Sequence, residues 1–150
     1  MLFTDEDFEE IDPDHDDPMV ITVEIAKYVV MKSFVDQGSS VDILFWDTFS
    51  KLHLKEEDMV PFLEQIIGFS GERVDTKGYI DLATTFGIGN ATKRIKIMYL
   101  IVDACTSYNV LLGRSSLNKL GAIVSTPHLA MKFPTEKCEI TTIYVNQRDA

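Results

Sequence analysis

The residues best suited to chemistry stand together in Phe34-Val35-Asp36-Gln37-Gly38-Ser39-Ser40. A carboxylate closes an apolar run and is followed, two residues on, by a glycine that allows a tight turn. An acid placed this way can act as a general acid or base, or it can cap its own loop as an Asx turn. Ser39 has two open roles as well. Its hydroxyl can donate to an ionised Asp36 and favour the charged form, or it can bond to local backbone. A second feature lies far downstream, where Val110-Leu111-Leu112-Gly113-Arg114 runs an apolar strand into another glycine. Metal chemistry has no comparable basis. His15, His53 and His128 are scattered, and Cys105 and Cys138 form neither a CxxC pair nor a zinc framework.

The elements that must position these residues are short and β-rich. Met19 to Ile25 alternates as a strand, Ala26-Lys27 turns it back, and Tyr28 to Val35 forms a second strand ending at Asp36. Val41 to Leu44 resumes an extended path, and Trp46 to Leu52 reads as a short helix. Lys55 to Asp58 is a polar connector. Phe62 to Ser70 and Arg73 to Phe86 form a long hairpin about Ser70-Gly71-Glu72. Gly87 to Asn90 is the next turn. Arg94 to Val102 then places Ile95, Ile97, Tyr99 and Ile101 on one face. Thr106 to Asn109 turns the chain into Val110-Leu111-Leu112. Ser115 to Leu120 is a helix with Ser115 or Ser116 near its N-cap and Gly121 at its end. Ala122 to Ser125 and Leu129 to Phe133 are the final strands. The pattern predicts an all-β, closed or partly closed fold with one or two short helices.

An apolar pair, Asp-x-Gly-Ser, a hairpin, and an apolar-apolar-Gly strand leading into a short helix resemble retropepsin-like aspartic proteases. The sequence looks like the protease segment of a plant Ty3/gypsy-type retrotransposon polyprotein. The resemblance covers about Met19 to Phe133. It implies an acid protease barrel and an aspartic endopeptidase that needs no cofactor. Asp36 is then catalytic, with Gln37, Gly38 and Ser39 as its loop. Phe69, Ser70, Gly71 and Glu72 form a flap over a polypeptide substrate. Leu112, Gly113 and Arg114 brace the Asp36 loop, and Arg114 buttresses a dimer. One chain holds one Asp-x-Gly-Ser and so half of a two-carboxylate site, which implies a symmetric homodimer. Gln37 departs from the family pattern, where a Thr or Ser hydroxyl bonds across the dimer. The same residues fit a second reading, a catalytically silent protease fold kept as a dimerisation or binding module. An unrelated β-barrel binding protein is a third.

Composition sets the remaining bounds. The 150 residues suit one domain with a real core. The net charge of −10 belongs to one end: residues 1–17 hold nine acids and no Lys or Arg, leaving 15 acids against 14 bases elsewhere. We therefore expect residues 1–18 to be an acidic, flexible segment and 19–150 to be the protease domain. A basic surface is missing, which argues against direct nucleic-acid binding. No apolar run is long enough for a membrane helix, and no secretory signal is visible. Two unpaired thiols suit a reducing compartment, and the expected location is cytoplasmic.

Overall fold

The computed structural model describes residues 18–61, 65–67, 73–125 and 128–144. β1 (Val20–Ile25) and β2 (Tyr28–Val35) pair antiparallel, with Val23 opposite Val30. β3 (Asp42–Phe45) runs straight into α1 (Trp46–Lys51), where Trp46 stacks on Phe49 and takes the Lys77 ammonium on its face. The polar connector contains one 3-10 turn, Glu56–Asp58. β4 (Val60–Pro61) and β5 (Gln65–Ile67) both pair with the long β6 (Arg73–Ile88). The tip residues Phe69, Ser70, Gly71 and Glu72 lie outside the described residues, as does the acidic segment 1–17.

From Asp75 onward β6 pairs with β7 (Ala91–Asp103); β6 runs into the predicted turn as far as Ile88, and β7 begins at Ala91, before the predicted Arg94. β8 (Val110–Leu112), α2 (Arg114–Leu120) and β9 (Ile123–Ser125) follow. β10 (Ala130–Pro134) and β11 (Ile140–Tyr144) complete the order. The sequence reading ends its strands at Phe133 and omits β11. Its residues, Ile-Thr-Thr-Ile-Tyr, are strand formers that pair in unbroken register with β10.

Hydrogen bonding runs β1-β2-β8-β3-β7-β6, and β6 returns to β1 through Glu24–Thr85 and Ile25–Thr84. Six strands thus close a mixed barrel, and closure removes the exposed edges an open sheet would carry. The β2–β8 and β3–β7 pairs are parallel. β9, β10 and β11 form a separate three-stranded sheet.

One core fills the barrel. It includes Ile21, Ile25, Leu44, Phe86, Ile97, Tyr99, Ile101 and Leu112, and β10 adds Met131 and Phe133. A smaller cluster of Ile43, Phe45, Val102 and Leu111 lies apart from it. β3 and β8 are buried at every residue because alternate side chains enter the two clusters. Such strands read as continuous apolar runs instead of alternating ones.

The start of α2 departs from expectation. Gly113, not Ser115 or Ser116, occupies the N-cap, and no side chain caps the helix. At the other end Gly121 takes φ 71°, a left-handed conformation, and its N–H bonds to the Asn118 carbonyl.

Candidate active site

Asp36 follows the last residue of β2, half-buried, where the chain leaves the barrel wall. Its own N–H donates to the Leu112 carbonyl at 2.9 Å, extending the parallel β2–β8 pairing one step past the strand. The carboxylate meets backbone on its other side. Gly38 N–H donates to Asp36 Oδ1 at 2.9 Å, and Ser39 N–H donates to the Asp36 carbonyl at 3.2 Å. This is an Asx-type turn, closed on one oxygen of the carboxylate. The catalytic and turn roles are therefore compatible, since the turn orients the acid.

The Ser39 hydroxyl takes the local role of its two. It donates to the Val41 carbonyl at 2.8 Å and lies 3.3 Å from the Val41 N–H. Gln37 is exposed at the tip of the turn.

The 112–114 segment clasps this loop from behind. The Leu112 carbonyl holds Asp36, and Arg114 N–H donates to the Ser39 carbonyl at 2.8 Å. Gly113 lies between them. A Cβ there would stand 2.3 Å from the Val41 carbonyl oxygen and 2.7 Å from that of Ser39, so no larger residue fits without moving backbone. The Arg114 side chain is exposed.

Asp42 is the residue the sequence reading passes over. It begins β3, is 4% exposed, and its Oδ1 accepts the Gly113 N–H at 2.7 Å. Burial pushes its carboxyl above the ordinary carboxylate range. Hydrogen bonds from the Ser116 hydroxyl, the Gly113 N–H and the Ser116 N–H, and the Lys119 charge, pull the other way. The signal available in sequence was an acid set directly before the fully apolar Ile43-Leu44-Phe45. An acid beside such a run must find donors inside the fold.

Beside the loop, a cavity of about 210 Å³ is lined by Phe34, Phe45, Thr106, Tyr108 and Leu111. Phe34 and Tyr108 wall it with rings 5.0 Å apart. The larger cavity, about 750 Å³, lies around Val29, Ile88 and Tyr144, toward the end of β2 remote from Asp36. Among the described residues, no three His, Cys, Asp or Glu side chains gather as a metal site. No helix among them is long and apolar enough to cross a membrane.

No family model and no curated protein matches the chain. Solved structures do. The retroviral protease-like domain of Ddi1 from Leishmania major superposes with a TM-score of 0.63 at 14% identity, over 88% of this chain and 98% of that one. A retropepsin-like aspartic protease from Rickettsia conorii gives 0.55 at 18% identity, covering 76% and 81%. EIAV protease, solved with the inhibitor HBY-793, gives 0.53 at 21% identity, covering 74% and 95%. The fold is retropepsin-like.

Proposed function

We propose that the chain is an aspartic endopeptidase that works as a homodimer, with Asp36 of each copy facing the other. The observation that carries this reading is the Asp36 turn. A carboxylate at the rim of a retropepsin-like barrel is oriented by the Gly38 N–H and clasped from behind by Leu112, Gly113 and Arg114. Two such carboxylates a few ångströms apart cannot comfortably both ionise, so they share one proton, as in aspartic proteases generally. The ionised oxygen takes a proton from water, which attacks the scissile carbonyl; the protonated partner polarises that carbonyl. The proton gained from water then goes to the leaving amine.

The substrate is an extended polypeptide bound as an added strand in the cleft between copies. The hairpin tip Phe69-Ser70-Gly71-Glu72 folds over it as a flap and excludes water. The cavity bounded by Phe34, Tyr108 and Leu111 suits an apolar substrate side chain. Arg114 supports the dimer. The motif's likeness to plant Ty3/gypsy elements makes polyprotein processing the natural task. The exposed Cys105 and Cys138 thiols suit the reducing cytoplasm.

Gln37 favours the second reading, a silent dimerisation or binding module, because an exposed amide stands where the family carries a hydroxyl. One experiment separates the two. Wild type and Asp36→Asn are incubated with a mixed peptide library from acid to neutral pH, with and without a statine-type transition-state mimic. We expect cleavage by wild type that the mimic blocks, and a loss of about a thousandfold or more in Asp36→Asn with its fold intact. Equal cleavage by both proteins would overturn the mechanism. A folded wild type that cleaves nothing would favour the silent module.

A further inference from the structure

Three consecutive residues at the end of β8 and just beyond it grip three separate points of the segment that carries Asp36. The Leu112 carbonyl accepts the Asp36 N–H, and Arg114 N–H donates to the Ser39 carbonyl. Between them Gly113 N–H is taken by a side chain, the carboxylate of Asp42 at 2.7 Å. The two outer bonds are backbone to backbone and depend little on residue type. The central bond depends on Asp42 alone. Gly113 is also the point of closest approach, where no Cβ fits between the Ser39 and Val41 carbonyls. A shift of Gly113 therefore moves both outer bonds together.

We propose that Asp42 is a positioning residue for Asp36: its carboxylate fixes Gly113 and, through it, the clasp that sets the Asp36 loop. The inference rests on the endopeptidase reading for its catalytic consequence, and on the hydrogen bonds above for its structural one.

The surroundings fit an anion. Donors reach Asp42 from the Gly113 N–H and from the hydroxyl and N–H of Ser116, and α2 adds the Lys119 charge. The Ser116 hydroxyl also lies 3.1 Å from the Gly113 carbonyl, so it has a second acceptor when Asp42 is protonated. From β7, the register partner of Asp42 is Tyr99, a buried phenol held neutral by burial and by the Asp42 charge. From β8, packed on the other side of β3, come the apolar Val110 and Leu111. Charge-assisted bonds are roughly twice as strong as neutral ones, so ionised Asp42 grips Gly113 more firmly than the protonated acid does. Keeping a charge in this buried position opposes folding. That cost is intelligible where the charge holds a catalytic loop in register.

The test uses Asp42→Asn, which keeps the shape and an acceptor but loses the charge, and Asp42→Ala, which loses both. Two readouts are needed. The first is the backbone amide spectrum of the whole chain. In wild type the Gly113 amide proton should titrate with a midpoint above the ordinary carboxylate range, and in Asp42→Asn that titration should vanish. Arg114 N–H should exchange about fivefold faster in Asp42→Ala. The second is kinetic. Asp42→Ala should lose about 100-fold in kcat with KM nearly unchanged, as expected when a reacting group is misplaced but substrate contacts survive. Asp42→Asn should fall between and lose one inflection on the acid limb of its pH profile.

A folded Asp42→Ala with wild-type kcat, or an Arg114 amide equally protected in both proteins, would overturn the proposal. So would a Gly113 titration that persists in Asp42→Asn. Should Asp42→Ala fail to fold, the Asn variant decides through the Gly113 amide and the acid limb. If wild type cleaves no peptide, the endopeptidase reading fails by itself, and the amide measurements still decide the role of Asp42.

Discussion

At Gly113 a methyl group would stand 2.3 Å from one carbonyl oxygen and 2.7 Å from another, and both belong to the loop that carries Asp36. The neighbours are backbone, so they cannot swing aside as a side chain would. Gly113→Ala should therefore destabilise by about 1–3 kcal/mol, as overpacking does, and should reduce any peptidase activity more than its stability loss explains. Urea unfolding alongside turnover checks both. Asp42 gives a second expectation at this scale. Its carboxyl is raised by burial, so the folded chain binds this proton more tightly than the unfolded chain does. The stability it contributes is fully present below the ordinary carboxylate range and is lost as pH rises through the raised native value. Unfolding free energies of wild type should accordingly fall relative to Asp42→Asn as pH rises from the ordinary carboxylate range through the raised native value. A difference that stays constant across that range would show that Asp42 titrates alike in both states.

Among the elements, β10 is the strand whose place the sequence shows least. It lies outside the barrel's hydrogen-bonded circuit, yet Met131 and Phe133 are fully buried in the barrel's core. Phe133 meets Phe86 of β6 edge-on, with ring centroids 6.2 Å apart. The second sheet is thus part of the fold's stability and not an appendage to it. Phe133→Ala should cost about 3–5 kcal/mol, whereas Lys132→Ala, on the less buried face of the same strand, should cost little. Thermal denaturation of the two variants separates the faces. Equal losses would mean that the strand does not seat in the core. The boundaries of α2 carry a related lesson. Ser115 and Ser116 look like caps in sequence, but Gly113 opens the helix because the clasp on Ser39 and Asp42 fixes where the chain must turn.

For the whole molecule, the proposed site is complete only when two chains meet, so activity should depend on concentration. Specific activity should drop on dilution past the dimer dissociation constant. Gln37→Thr should tighten the dimer, since the longer amide must order more rotatable bonds to make cross-subunit contacts. Residues 1–17, with nine acids and no base, should oppose association by repulsion that salt screens. Deleting them should favour dimer at low ionic strength and matter less at high salt. Sedimentation of wild type, Gln37→Thr and the deletion variant tests all three points. A chain that cleaves peptide while monomeric at every concentration would exclude the shared site.

Most strands along the chain, the β class, both helices and the Asp36 turn were legible because each rests on local pattern. Apolar alternation, glycine placement and an Asp-x-Gly-Ser run are properties of neighbours in the chain. The long hairpin was legible as two arms paired through β6. Three things were not. β11 lacks strong alternation and exists by its register with β10. Ser39 offered two acceptors of equal standing until the loop's curvature put the Val41 carbonyl in reach. Asp42 looked like one more polar residue in an extended stretch. Its role depends on Gly113, 71 residues later. A bond between such distant positions leaves no periodicity in either segment. It exists because antiparallel pairing of β3 with β8, with Ile43 opposite Leu111, brings the start of one strand beside the end of the other. The sequence by itself placed a carboxylate in a turn; tertiary structure decided what holds that turn still.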